Sequence, residues 1–115
     1  MVQSLFKAVK PFNAERHADY FINTGTGYKF ADGQPAAPLL VGEFAVVSRE
    51  YTIAFIKQDD LFRPIAVLGL AESENLVVDD NGKWNGEYVP SAYRMYPFVM
   101  VKTQDSDLIG LGLAE

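Results

Sequence analysis

The sequence contains no cysteine and a single histidine, His17, among its 115 residues. A chain without cysteine forms no disulfide, and it offers neither a thiolate nucleophile nor a thiolate ligand for a metal ion. One histidine cannot supply the several imidazole ligands of a histidine-rich metal site. These absences exclude disulfide frameworks, thiol-dependent catalysis and histidine-rich metal sites within one chain.

Positive charge and long apolar runs are also scarce. Ten Lys and Arg residues stand against fifteen Asp and Glu, a net charge of −5, so the basic surface that attracts nucleic acids or anionic membranes is lacking. No apolar run approaches the roughly 18 residues of a membrane span. Lys7 and Lys10 interrupt the apolar start, unlike in a signal peptide. We expect a soluble cytoplasmic protein without a nucleic-acid partner or a membrane span, and association with the cell surface stays an open alternative.

The chain has enough apolar material for one core. Hydrophobic residues make up 49% and aromatic residues 13% of the sequence, which is typical of globular rather than disordered proteins. At this length, roughly two-thirds of the unfolded surface can be buried. Neither a repeat nor a low-complexity linker divides the chain. We therefore predict a single domain over residues 1–115.

One segment has the spacing of an amphipathic helix. Leu40, Phe44 and Val47 follow an i, i+4, i+7 pattern, which places them on one helical face. Gly42 weakens such a helix by about 1 kcal/mol relative to alanine. The pattern predicts the principal helix at about 39–50.

The remaining apolar segments favour β-strands. The runs at 52–56 and 64–70 are predicted to be neighbouring strands, and Asn81-Gly82 predicts a hairpin turn between strands near 75–79 and 84–89. Further elements are predicted at 4–9, 97–102 and 107–115 as strands, and at about 91–95 as a short helical turn after Pro90. The fold class is therefore α+β, with a mainly antiparallel sheet.

The glycine-rich stretch TGTG at 24–27 has two interpretations. It fits a flexible turn between β-compatible segments at 19–23 and 28–30. A phosphate-binding loop would need a Gly-Lys-Ser/Thr sequence between a strand and a helix, and neither feature is present. We favour the turn.

Two polar clusters resemble metal sites at first sight. His17 lies beside Glu15 and Asp19, which is compatible with a site rich in carboxylates. We favour a histidine that packs against or caps local backbone, with Asn13 capping a turn through 15–17. Residues 79–81 lack the alternating spacing of a calcium loop, so an acidic hairpin turn is favoured there.

An aromatic stretch near the C-terminus carries the candidate binding residues. It contains Trp84, Tyr88, Tyr93, Tyr96 and Phe98, with Arg94 among them. Aromatic rings and arginine are common anchors of recognition surfaces. Alternatively, the rings form the core and Arg94 pairs with Glu43 or Glu87. We favour the core for most of the rings and expect Trp84, Tyr88 and Arg94 to face a ligand.

Several short motifs occur in a characteristic order. They are Asn13-Ala-Glu-Arg-His17, Phe30-Ala31, Pro38-Leu39, Glu43-Phe44, Tyr51-Thr-Ile-Ala-Phe55, Ala66-Val-Leu-Gly-Leu70, Asn75-Leu76, Gly82-Lys-Trp84, Tyr88-Val-Pro90 and Arg94-Met-Tyr-Pro-Phe98. From about residue 12 to 104 this order resembles the N-terminal half of SapC-family proteins, bacterial proteins associated by name with the paracrystalline surface layer. Two residues depart from the family pattern. Thr52 stands where a proline is expected. Met95 stands where a second arginine is expected, and this departure weakens any role that needs paired guanidinium groups.

The resemblance implies a role related to surface-layer assembly or export, and it transfers no catalytic residue. We expect a non-enzymatic interaction module that binds a protein or peptide partner, without a cofactor or metal. Its predicted ligand-binding residues are Trp84, Tyr88, Arg94, Tyr96, His17 and Glu43. The alternative is a small hydrolase or metal-dependent enzyme that uses His17 with nearby carboxylates. A homo-oligomer is a further hypothesis, in which 107–115 pairs with a second copy.

Overall fold

The computed structural model describes residues 8–22, 27–102 and 109–114. The chain divides into two compact units. One, the contiguous unit, spans residues 24–94, and the other, the split unit, combines 2–23 with 95–115. The prediction of a single domain stays a prediction, and the two units are described separately.

Short strands, single helical turns and extended loops make up both units. The elements are β1 (Val9–Pro11), a 3-10 turn (Lys29–Ala31), β2 (Ala36–Pro38), a second 3-10 turn (Val41–Glu43), α1 (Phe44–Val47), β3 (Thr52–Gln58), β4 (Leu61–Val67), α2 (Ser91–Arg94), β5 (Phe98–Lys102) and β6 (Ile109–Ala114). All strand pairs are antiparallel. The α+β prediction is confirmed, and α2 confirms the short helical turn.

The contiguous unit contains a three-stranded sheet in the order β2-β4-β3. β3 and β4 pair along their whole length, from Thr52 opposite Val67 to Gln58 opposite Leu61. This confirms that the two apolar runs are neighbouring strands. The turn between them is made by Asp59 and Asp60, whose φ angles of 53° and 62° are both left-handed.

The helix predicted at 39–50 is present but much shorter. Leu40 is extended, with φ −90° and ψ 150°, and the 3-10 turn and α1 together end at Val47. Val47 is fully buried, whereas Leu40 is 67% exposed. The apolar spacing therefore marks a buried face only from Phe44 onward, because the chain is still extended at Leu40.

The turn predicted at Asn81-Gly82 forms, but the strands around it do not. Gly82 has a φ of 81°, which requires the conformational freedom of glycine. Val78 and Trp84 form one isolated bridge, and the Asp79 carboxylate accepts hydrogen bonds from backbone N–H groups within the turn. The predicted strands at 75–79 and 84–89 are wrong beyond that bridge. The turn is held by a few backbone hydrogen bonds, such as Asn85 N–H to the Val77 carbonyl at 2.8 Å, together with the Asp79 carboxylate, and no extended β-ladder forms.

The core of the contiguous unit contains an aromatic cluster around Trp84 and Tyr93, beside buried aliphatic residues. The Trp84 ring packs edge to face against Tyr28, Tyr51 and Tyr93, with centroid distances of 5.7, 6.3 and 5.8 Å. Tyr93 also contacts Phe30 at 5.9 Å. Such pairs contribute about 0.5–1.5 kcal/mol each beyond the area that they bury. Because 29–31 form a 3-10 turn, the strand predicted at 28–30 is wrong, and the TGTG turn lies mostly outside the described residues.

The split unit contains the second three-stranded sheet, in the order β1-β6-β5. β6 lies in the middle and pairs with β1 from Val9 opposite Ala114 and with β5 from Phe98 opposite Leu113. Both edges of β6 are therefore paired within the chain, and a homo-oligomer formed through 107–115 stays a prediction. The strand predicted at 4–9 falls mainly outside the described residues. Among the described residues, no helix is long and apolar enough to cross a membrane.

The left-handed turn between β3 and β4 generates a stability prediction. A left-handed conformation costs a residue with a Cβ about 1–2 kcal/mol, whereas glycine adopts it freely. We expect Asp60→Gly to be more stable than Asp60→Ala by about 1 kcal/mol in urea unfolding. Both variants lose the same exposed ion pair with Lys57, at 4.0 Å, which contributes little. Equal stability of the two variants would contradict the turn geometry.

Candidate binding site around Tyr88 and Arg94

Glu43 fixes three parts of the contiguous unit with one carboxylate. Its side chain, only 6% exposed, accepts a hydrogen bond from the backbone N–H of Leu40 at 2.8 Å. The other oxygen accepts from the Tyr88 hydroxyl at 2.6 Å and from the Ser91 backbone N–H at 2.7 Å. A buried carboxylate is tolerated only with such partners. Glu43 thereby ties the 3-10 turn to Tyr88 and to the start of α2.

Glu50, in the turn that follows α1, binds the segment that carries Tyr88. Its carboxylate accepts from the backbone N–H of Glu87, at 2.9 and 3.0 Å to its two oxygens, and from that of Tyr88 at 2.9 Å. The backbone at 87–88 has no β-partner, so this carboxylate supplies the acceptors that a ladder would otherwise supply. Glu43 and Glu50 together fix the path of the segment 87–91.

Tyr51 and Trp84 support the segment from inside. The Tyr51 hydroxyl donates to the backbone carbonyl of Tyr88 at 2.8 Å. The Trp84 Nε1 lies 2.9 Å from the Tyr51 hydroxyl and 3.0 Å from the same carbonyl. Trp84 is only 7% exposed. The structure therefore places Trp84 in the core, beneath the loop that carries Tyr88.

Arg94 lies on the outside of this network. Its Nη2 donates to the Tyr88 hydroxyl at 3.1 Å, and its guanidinium carbon lies 5.3 Å from the centre of the Tyr88 ring. The Arg94 side chain is exposed, whereas Tyr88 is half-buried. Arg94, Tyr88 and Glu43 thus form a continuous series of hydrogen bonds from the surface to a buried carboxylate.

The pKa shifts follow from these contacts. Burial by itself raises the pKa of Glu43, but the hydrogen bonds from Leu40, Tyr88 and Ser91 outweigh it and bring the pKa below its ordinary value. Burial, together with the Glu43 carboxylate, raises the pKa of Tyr88. Near neutral pH, Glu43 is therefore ionised and Tyr88 keeps its proton. This fixes the direction of the bond: Tyr88 donates and Glu43 accepts.

The structure brings three of the predicted ligand-binding residues together, namely Glu43, Tyr88 and Arg94. The suggested direct pairing of Arg94 with Glu43 is replaced by a link through Tyr88. Tyr96 belongs to the split unit and is 37% exposed. That each predicted residue contacts a ligand stays a prediction.

His17 is a packed residue of the split unit. It is 5% exposed, and its ring stacks on Phe12 at 5.4 Å and meets Tyr20 edge to face at 4.9 Å. Its Nδ1 lies 3.0 Å from both the backbone N and the backbone O of Asn13. The Asn13 side chain caps the turn by accepting from Glu15 N at 2.8 Å, as predicted. The described residues contain no group of three or more His, Cys, Asp or Glu placed to hold a metal ion, and the enzymatic alternative stays a prediction.

Sequence reasoning missed the roles of Glu50 and Tyr51. Glu50 lies at the end of the segment predicted as a helix, 39–50, yet it binds backbone groups 37 and 38 positions away. No local pattern signals such a contact. Sequence reasoning also missed that Leu40 and Val41 are surface residues, 67% and 75% exposed. The helical spacing did not identify them as such.

Gly86 provides a test of the loop packing. A Cβ there would overlap the Tyr51 hydroxyl and lie 2.9 Å from Trp84 Nε1. We expect Gly86→Ala to destabilise the protein by about 2 kcal/mol in urea unfolding, because forced overpacking typically costs about 1–3 kcal/mol.

Two further variants make this prediction specific. In the double variant Gly86→Ala/Tyr51→Phe, the second change removes the hydroxyl that the new Cβ meets. The double variant should therefore lose less stability than the sum of the losses in the two single variants. The control is Gly42→Ala, where a Cβ meets nothing within 4 Å, and there helix propensity favours alanine by up to about 1 kcal/mol. Equal effects at Gly86 and Gly42 would contradict the packing.

The two carboxylates also predict a pH dependence of stability. Hydrogen bonds from Glu87 and Tyr88 lower the pKa of Glu50, as others lower that of Glu43, below the ordinary 4.5. The unfolded chain therefore takes up these protons first, and the stability present above pH 4.5 is lost as the pH falls below it. Glu50→Gln should flatten this decline in urea unfolding. Glu72→Gln, at an exposed glutamate outside the network, should leave its slope unchanged, and equal slopes in both variants would count against the role of Glu50.

The comparisons with known proteins give one match. The SapC family model matches residues 12–113, which is most of the chain and includes residues of both units. No curated protein matches the chain, and no solved structure does. The matched residues extend beyond the 12–104 of the sequence resemblance and include the whole network around Tyr88. The chain therefore belongs to the SapC family.

Proposed function

We propose that this protein is a non-enzymatic interaction module that binds a protein or peptide partner. Its binding surface is formed by Arg94, Tyr88, Leu40 and Val41, and is called the Tyr88–Arg94 surface below. The observation that carries the proposal is the exposed guanidinium of Arg94, fixed on Tyr88 by a 3.1 Å hydrogen bond.

A fixed arginine suits a binding surface because little rotamer freedom remains to be lost. Immobilising a long side chain at an interface costs about 0.5–1.5 kcal/mol. Here the ring of Tyr88 lies 5.3 Å from the guanidinium carbon, and Glu43 orients the Tyr88 hydroxyl. Much of the ordering cost is therefore met before a partner arrives. Arginine and tyrosine are also the residue types enriched at the energetic centres of interfaces.

Leu40 and Val41 are exposed apolar residues at the 3-10 turn that Glu43 ties to Tyr88. Leu40 is 67% and Val41 75% exposed. The backbone N–H of Leu40 and the hydroxyl of Tyr88 donate to the same Glu43 carboxylate. The backbone of Leu40 therefore lies close to the Tyr88 hydroxyl. We propose that Leu40 and Val41 contribute the apolar part of the surface, since interfaces typically combine an apolar core with a polar rim.

The wider role follows the family. We propose that the partner takes part in the surface-layer assembly or export with which SapC proteins are associated by name. Family membership supports this part of the proposal, and the geometry of the Tyr88–Arg94 surface supports binding in general.

Peptide selection tests the binding role directly. Wild-type protein is used to select binders from two random peptide libraries, one fused through the peptide N-terminus and one through the C-terminus. The selected peptides are then synthesised and titrated. We expect Arg94→Ala and Val41→Ser to weaken binding at least tenfold, because each removes an anchor of the surface.

The matched control is Lys57→Ala, which also removes one exposed positive charge, at a position in β3 that pairs with Phe62 and is not part of the proposed surface. It should bind like the wild type, and all three variants should retain wild-type circular dichroism and urea midpoints. Peptides that bind the wild type and the Arg94→Ala variant equally would contradict the proposed function.

A further inference from the structure

We infer that the partner presents an acidic side chain, Asp or Glu, to Arg94 and an apolar side chain to Leu40 and Val41. This inference rests on the proposed function of the same surface and specifies the chemistry of the partner.

The guanidinium keeps one complete pair of parallel donors. A guanidinium has five N–H groups, arranged so that adjacent nitrogens form two forks that each match a carboxylate. Nη2 takes part in both forks and carries two hydrogens, of which one goes to the Tyr88 hydroxyl. Its second hydrogen therefore completes the other fork. A carboxylate can occupy that fork with two hydrogen bonds while the bond to Tyr88 stays intact.

Charge complementarity also favours a carboxylate as the ligand group. The Glu43 carboxylate, which shares Tyr88 with Arg94, is buried. It accepts hydrogen bonds from Leu40 and Ser91 as well as from Tyr88. The group that contacts the guanidinium is the Tyr88 hydroxyl, which is neutral because burial and Glu43 raise its pKa. Arg94 therefore presents an exposed positive charge, and the complementary ligand group is an anion.

The surrounding backbone favours a side-chain carboxylate over the C-terminal carboxylate of a peptide. Chain termini are typically captured by several backbone N–H groups that converge on the carboxylate. In the segment 87–91, which carries Tyr88, three N–H groups already have acceptors: those of Glu87 and Tyr88 donate to Glu50, and that of Ser91 donates to Glu43. An acidic side chain needs only the guanidinium fork, and a neighbouring apolar residue can reach Leu40 and Val41.

The experiment uses the peptides selected above. Each acidic residue is replaced by its amide, and each peptide is made with a free and with an amidated C-terminus. Affinity is measured on the wild type, on Arg94→Gln and on the control Lys57→Gln. We expect one Glu→Gln or Asp→Asn change to weaken binding at least tenfold on the wild type and on Lys57→Gln, and to have no effect on Arg94→Gln.

The outcomes separate this inference from the proposed function. If Arg94→Ala weakens binding while no acid-to-amide change does, the binding role stands and the acidic partner is wrong. A loss that follows only amidation of the C-terminus also overturns the inference, in favour of a terminal carboxylate. If no selected peptide is sensitive to Arg94→Ala, the proposed function fails, and the inference fails with it.

Discussion

The carboxylate of Glu43 makes the hydrogen bonds on which the contiguous unit depends most. It is nearly buried, so removing any donor would leave part of a negative charge without compensation. Its hydrogen bonds join the start of the helical segment, the ring of Tyr88 and the first residue of α2. The orientation of Arg94 follows from it, because Arg94 is bound to the hydroxyl that Glu43 orients. A single side chain therefore links a packing requirement to the geometry of the surface.

The elements that the sequence predicts well are those whose hydrogen bonds are local or lie in a ladder. The apolar runs of β3 and β4 have adjacent positions in the chain and pair along their whole length. The strands β5 and β6 follow the same rule. The helix at 39–50 is overestimated, because apolar spacing reports which side chains could share a face and does not report that Leu40 remains extended.

The loop at 85–91 shows why the rest could not be predicted. Several of its backbone groups are satisfied by the side chains of Glu43, Glu50 and Tyr51. No pattern in the sequence indicates which distant side chain will bind which backbone group. The aromatic stretch was ambiguous for the same reason. Trp84 and Tyr88 are four residues apart, yet one lies in the core and the other reaches the surface, since the backbone between them turns at Gly86, where there is no room for a Cβ.

The position of β6 has a consequence for the chain as a whole. This strand comes last in the sequence but lies in the middle of its sheet, between β1 and β5. The pairing of Val9 with Ala114 closes a loop over nearly all of the chain, so it belongs to the contacts that form late for entropic reasons. Shortening the chain before residue 109 would leave β1 and β5 without the strand between them. The hydrogen bonds of Glu43, Glu50 and Tyr51 do not involve this sheet, since all their partners lie within 24–94.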